Sequence, residues 1–364
     1  MKTVKRSWVI AIFISALVVG AFLTGQALAE EKPWWPFPVV ETSTGQPRVV
    51  DYVPLQEKAS KKWNIIALLP HMKDTSWVTA DYGLVMEAKR QGVKLTILDA
   101  GGYDNLNKQL SQYDDAIQMK ADAIIAGVIS EGGMSKKFQE GKEKGIINIG
   151  LINPIYEAPL DAKVYNDVKF FGVAAADAVM EEFKDKDKVR VVIFPGPAGS
   201  GWAEDITKAF RDRLEEKAKG KFEVLEEKYG DAGKSVQLKL VEDALQAYDK
   251  IDLLYGCNPM AEVAINVVKE AGLAGQTKIM ASYETPDLLP AIKAGEVIGM
   301  ISEQNVAIAR VCMDLAIRAL EKKPTGFSDT LQPLAMAITK DNIAKIPIDW
   351  CYYPEDFKPV YKVD

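Results

Sequence analysis

The sequence predicts an α/β protein made of two doubly wound parallel-sheet lobes joined by a hinge, and three observations predict it. Short, nearly continuous apolar runs recur along the chain, each bounded by turn residues. Longer amphipathic stretches with apolar residues three and four apart separate these runs, the pattern of helices that cover both faces of a parallel sheet. The runs fall into two sets of four, which suits two domains of about 150 residues that each bury their own core.

Taken in order, the chain opens with Lys2, Lys5 and Arg6 ahead of the apolar run WVIAIFISALVVGAFLTG, which finishes in Ala27-Leu28-Ala29. Basic region, apolar core and small-residue end together read as a secretory signal peptide over 1–29, with no junction cysteine for lipidation. An uncleaved anchor is the rival reading, because the run approaches spanning length. Cleavage after Ala29 leaves 335 of the 364 residues, and 42 Lys+Arg against 51 Asp+Glu, a net charge of −9. Such an acidic chain is a poor partner for nucleic acid or anionic membranes, so a soluble protein of the periplasm with no nucleic-acid partner is expected.

Residues 30–62 are rich in proline, charge and aromatics without a sustained period. They read as an extended arm, strapped onto a domain surface by Trp34, Trp35 and Phe37, which are too apolar for a free linker. From Trp63 the strands are WNIIALLP, VKLTILDA, ADAIIAGV and IINIGLIN, then VRVVIFPG, KFEVLEEKYG, IDLLYGC and TKIMASYE. Helical stretches such as WVTADYGLVMEAKRQG and GWAEDITKAFRDRLEEKAKG lie between them. After TKIMASYE, EVIGMISEQ reads as one more strand and VAIARVCMDLAIRALEKK as a long helix, followed by a less regular tail. These are read as return crossings, which assigns 63–165 plus about 304–332 to lobe 1 and 166–303 plus about 333–364 to lobe 2. Cys257, Cys312 and Cys351 all lie in the second half; one disulfide with a thiol left over, or buried free thiols, both fit an oxidising compartment.

Ligands of open parallel sheets gather at the carboxyl ends of the strands, so the loops after the strands form the candidate site. LLPHMKDTSW puts His71, Asp74 and Trp77 after the first strand. Tyr103 follows the second strand and Ser130 the third; Trp202, Asp231, Asn258, Tyr283 and Glu303 follow the later ones. Recurring rings and carboxylates fit a small cationic or zwitterionic guest, its charge countered by Asp or Glu and its methyl groups packed on ring faces. Each ring contact is worth on the order of 0.5 to 2 kcal/mol, so three or four sustain micromolar binding. Capping of the next helix accounts for Asp74, Thr75 and Ser76 but not for Trp77, and His71 reads as a structural or rim residue.

Enzyme readings lack their parts. The single histidine has no Gly-x-Ser-x-Gly elbow, the cysteines are too dispersed for a zinc site, and GPAGSG lacks the lysine of a P-loop. No catalytic residue, metal ligand or cofactor is therefore assigned.

The segments LLPHMKDTSW, DYGLVMEAKRQGVKLTILDAGGY, FPGPAGSGW and SYETPDLLPAIKAGEVIG resemble the type I periplasmic binding proteins of the ribose-binding kind, over about residues 63–345. The resemblance implies two lobes that close around a small ligand. Within the family it is nearest to the branch that senses trimethylamine N-oxide and engages the periplasmic domain of a sensor histidine kinase. Carried over by position, that branch's aromatic cage implicates Trp77, Tyr103 and Tyr283, with Asp74 as acidic partner. Ser76 and Val168 stand where further cage aromatics are expected, with Trp202 as a replacement from another loop. The implied ligand moves accordingly toward a related amine, N-oxide, betaine or other osmolyte. The ribose-binding pattern places Ser130, Asn258, Tyr283 and Glu303 at ligand hydrogen bonds. Tyr283 stands where sugar binders often carry aspartate, and a phenol cannot accept two hydroxyls as a carboxylate does. Ligand sensing for a kinase is the function implied first; delivery of a sugar or other polar solute to an ABC permease is the alternative.

Overall fold

The computed structural model describes residues 33–42, 47–73, 75–326 and 328–364; the expected signal peptide and Asp74 lie outside them. The chain starts with a hairpin, β1 (Phe37–Glu41) and β2 (Arg48–Tyr52). Strand and helix then alternate through β3 (Asn64–Leu69), α1 (Thr75–Gln91), β4 (Lys94–Asp99), α2 (Leu106–Gln118), β5 (Ala123–Ala126), α3 (Glu131–Glu143) and β6 (Ile147–Ile152). A short β7 (Ala162–Tyr165) leads to α4 (Val168–Glu182), and from there β8 (Val189–Phe194), α5 (Gly201–Lys217), β9 (Phe222–Glu227), α6 (Lys234–Ala247) and β10 (Leu253–Gly256) follow. The remainder comprises α7 (Asn258–Glu270), β11 (Lys278–Ala281), α8 (Leu289–Ala294), β12 (Gly299–Ile301), α9 (Asn305–Glu321), β13 (Thr330–Pro333), β14 (Ala337–Thr339) and β15 (Lys362–Val363).

The strands form two sheets, ordered β15-β4-β3-β5-β6-β7-β13-β1-β2 and β14-β12-β11-β10-β8-β9. The runs β4-β3-β5-β6-β7-β13 and β12-β11-β10-β8-β9 are parallel throughout, and β5 (AIIA) and β10 (LLYG) are buried at every position. Strands covered on both faces need apolar side chains in both directions, which is why these segments read as continuous apolar runs. One face of the first sheet packs on α1 and α9, the other on α2 and α3. In the second sheet α4 and α5 cover one face and α6, α7 and α8 the other.

The segment read as an extended arm is a hairpin that continues the first sheet, because β1 pairs antiparallel with β13 and β2 with β1. Trp34, Phe37 and Tyr52 are core residues rather than surface straps, and Trp35 packs half-buried against them. Phe37 and Tyr52 are fully buried, the Trp34 indole donates to Glu87 of α1 at 3.1 Å, and the Tyr52 hydroxyl donates to Asp314 of α9.

The tail also departs from its assignment. Ile343, Ile346, Cys351 and Tyr352 do enter the core of the second sheet, but Lys362–Val363 pairs with β4 of the first. The Val360 N–H donates to Asp81 of α1 at 2.8 Å, and Ile97 N–H to the Tyr361 carbonyl at 2.9 Å. An open edge of β4 would leave a row of unpaired backbone groups, and the tail fills it.

Three further segments cross between the sheets, at Asn166–Asp167, Ser302–Gln304 and Leu334–Met336. They are bonded to one another: the Gln304 amide donates to the Leu334 carbonyl, Ser302 N–H to the Met336 carbonyl, and Asn166 to Asn305. Cys257, Cys312 and Cys351 are buried and unbridged.

Candidate ligand-binding cleft

On the first lobe the site begins where β3 ends. Pro70 stops the strand, α1 opens at Thr75, and Trp77 turns inward with 3% exposure. The loop after β4 is fastened to the loop after β3 by Ala100 N–H to the Leu69 carbonyl and Gly102 N–H to the Pro70 carbonyl. That fastening brings Tyr103 beside His71, whose ring lies 5.4 Å from Tyr103 and 6.4 Å from Trp77, both nearly edge to face. His71 is thus the spacer of an aromatic wall, in the geometry ring quadrupoles favour. At the end of β6, Ile152 takes a left-handed backbone (φ 63), a costly conformation for a β-branched residue of the kind that collects at functional sites. Asn153 follows it, and its amide donates to the Tyr103 hydroxyl at 3.1 Å and to the Val128 carbonyl at 2.7 Å.

The second lobe supplies a matching wall. Trp202 sits in the first turn of α5 and Tyr283 follows β11, with ring centroids 5.7 Å apart at 88°. Phe171 of α4 adds a third ring, and Asp231 comes from the loop after β9. Glu303, on the crossing between β12 and α9, accepts a hydrogen bond from Ser76 of α1 at 2.8 Å, so the start of the first lobe's helix is tied to the hinge.

The two walls enclose a cavity of about 370 Å³. Its described lining carries rings from both lobes, the polar groups of Ser76, Asn153 and Asn166, and the carboxylates of Asp231 and Glu303, without lysine or arginine. Glu284 lies beneath this lining. It is buried, accepts the Gln304 N–H at 2.9 Å, and has its pKa raised well above the ordinary value, first by burial and then by the nearby charge of Glu303. Burial thus works against ionisation of Glu284, and Glu303 is the carboxyl of the pair that lines the cavity.

Six of the residues expected from the sequence line the cavity: Trp77, Tyr103, Trp202, Asp231, Tyr283 and Glu303. Ser130 and Asn258 do not. The Ser130 hydroxyl caps α3 by accepting the Gly133 N–H at 3.3 Å, and Asn258 opens α7 with its amide donating to the Glu284 carbonyl at 2.8 Å. Ser130 does the usual work of a serine at a helix start, and the Asn258 amide is turned to the backbone of the loop after β11 instead of the cavity. Asp74 lies outside the described residues. Asn153, Asn166 and Phe171 were not expected. Asn153 follows a strand directly and the strand-end rule reaches it, whereas Asn166 and Phe171 depend on the unforeseen β7. Among the described residues no cluster of three or more His, Cys, Asp or Glu side chains could hold a metal.

The periplasmic binding protein domain matches residues 66–324. Periplasmic protein TorT of Escherichia coli K12 is 27% identical over 305 residues, 84% of this chain and 86% of that protein. An ABC transporter solute-binding protein from a Bradyrhizobium species, solved with bound bis-tris, is similar in structure, with a TM-score of 0.83 and 37% identity over 91% of this chain and 99% of that one. The complex of the TorS sensor domain with TorT in the presence of trimethylamine N-oxide gives a TM-score of 0.73 at 22% identity, over 82% of this chain and 99% of that one, a likeness of fold alone. With the domain match spanning most of both lobes, the chain belongs to the periplasmic binding proteins, of the type I, ribose-binding-like kind.

Proposed function

We propose that this protein is a periplasmic receptor that closes its two lobes on one small cationic or zwitterionic metabolite, an amine, N-oxide, betaine or related osmolyte. One observation carries this: rings from both lobes and two carboxylates face a single space whose described lining holds no lysine or arginine. Cation–π attraction grows from about 0.5 kcal/mol at exposed sites to about 2 kcal/mol when water is excluded, so enclosure by both walls strengthens every contact. The volume lies near the lower end, about 300 Å³, of small-molecule pockets. Bis-tris, a tertiary amine bearing hydroxyl groups, is the molecule bound by the 37% identical Bradyrhizobium protein, and that supports the same ligand class here. Contacts to both walls exist only when the walls face each other, so the ligand favours the closed form by its differential affinity, and no bond chemistry is required.

A membrane partner reads the closed form. The identity to TorT supports the periplasmic domain of a sensor histidine kinase; the higher identity to a solute-binding protein of an ABC transporter supports a permease. Selective capture of the ligand-loaded protein by one of the two partner types separates them.

Thermal shift followed by calorimetry with trimethylamine N-oxide, glycine betaine, choline and bis-tris, against D-ribose, D-allose and D-arabinose, tests the ligand class. At least one amine should stabilise the protein and bind with micromolar affinity. Stabilisation by sugars alone would overturn the proposal.

A further inference from the structure

We propose that Gly127 is a specificity-determining position of the cleft: by lacking a side chain it sets how deeply Trp77 is seated, and hence the size of guest the first lobe admits. The ligand half of this statement rests on the amine-binding function proposed above; the seating of the ring does not. Gly127 is not among the residues that line the cavity. It follows β5, and a Cβ built on it would lie 2.4 Å from both Cη2 and Cζ3 of Trp77, far inside van der Waals contact.

The backbone at Gly127 has little freedom to yield. Its N–H donates to the Leu68 carbonyl at 2.9 Å, and its own carbonyl accepts from the Gln109 amide at 2.8 Å. The same Gln109 side chain, fully buried, accepts the Ile129 N–H at 2.8 Å, so one amide brackets the loop from both sides. Gly127 is not among the positive-φ glycines, so alanine meets no backbone strain there. The conflict is with the indole alone, and that indole is part of the cavity lining. An added methyl group therefore shifts a part of the wall that a guest would touch.

The second lobe repeats the device. A Cβ on Gly196, which follows β8, would lie 2.8 Å from Cη2 of Trp202. Each tryptophan stands in the first turn of its helix and rests on a glycine at a strand end. Gly196 has φ +112, which adds strain to any substitution, so Gly127 is the cleaner test.

Tetramethylammonium, choline and bis-tris serve as probes of rising size, with calorimetry on wild type, G127A, W77F and G127A/W77F. In G127A the ratio of the bis-tris Kd to the tetramethylammonium Kd should rise about tenfold, the effect of an overpacked wall. The shorter phenylalanine ring removes the clash, so the double variant should return to the ratio of W77F alone. An unchanged ratio in G127A, or no return in the double variant, overturns the proposal. The Trp77 near-UV circular dichroism, isolated by subtracting W77F from wild type and the double variant from G127A, should change even without ligand; an unchanged signal also overturns it. A changed signal in a protein that binds no amine sinks the amine reading and leaves the seating role standing. Should G127A fail to fold, the double variant is expected to fold, and failure of both overturns the proposal.

Discussion

Glu303 is where charge, hinge and cleft meet. It lines the cavity and accepts from Ser76 of the first lobe, while its neighbour Glu284 is buried beneath with a raised pKa. Glu303→Gln keeps an oxygen for Ser76 and removes the charge. Hydrogen bonds to charged groups are worth roughly 1.5–3 kcal/mol, so amine affinity should fall at least about tenfold by calorimetry. The melting temperature of the free protein should hold steady or rise. Asp231 lies on the exposed side of the cavity, where a pair contributes about 0–1 kcal/mol, and Asp231→Asn should cost only a few-fold. Equal losses for the two variants would disprove this ranking. The site residues legible in the sequence were the large rings and acids just after strands, because strand ends alone place them. Ser130 and Asn258 occupy the same kind of position, yet short polar side chains at helix starts turn to the nearest backbone group, and sequence cannot say which use wins. The apposition of Phe171 with Trp77 depends on lobe closure and has no local signal.

Among the elements, β3 to β6 and β8 to β12 are long or apolar enough to show their period. β1, β2, β7 and β13 to β15 are not. They are two to five residues long and exist because neighbouring strands supply their partners; β1 contains Pro38 and β15 has only Lys362 and Val363. One of these contacts makes α1 sensitive to pH. Asp81 is fully buried on α1, and burial raises its pKa to about 7 against the lowering effect of the Val360 N–H it accepts. A carboxyl whose folded pKa lies above its unfolded value contributes stability that is complete below about pH 4 and is lost as pH rises toward 7, an effect on the order of 4 kcal/mol. Asp81→Asn removes the titration. The variant's melting temperature relative to wild type should climb between about pH 4 and 7 and level off above; a difference that stays constant with pH would exclude a raised Asp81 pKa.

The whole molecule is joined by more than its three hinge segments, because the tail makes a fourth crossing. Tyr352 is anchored in the second lobe, its hydroxyl 3.8 Å from the sulfur of Met300, and Val360 is anchored on α1 of the first. Between them Phe357 N–H closes a turn on the Pro354 carbonyl, and the Phe357 ring packs edge to face on Tyr82 of α1 at 5.0 Å and against Tyr353 at 5.6 Å. Eight or so residues could reach about 28 Å if extended, so the backbone alone does not hold the lobes together. The ring contacts keep the strap folded, and they add to the tie that the Trp350 indole makes by donating to the Trp34 carbonyl at 2.7 Å. Phe357→Ala lets the turn extend and raises the population of open molecules. Apparent affinity scales with the fraction of binding-competent protein, so amine Kd should rise about three- to tenfold. Small-angle scattering should give a larger radius of gyration for the free variant than for free wild type, and the two should converge at saturating ligand. Scattering curves and affinities identical to wild type would mean that the strap covers the first lobe without restraining its partner.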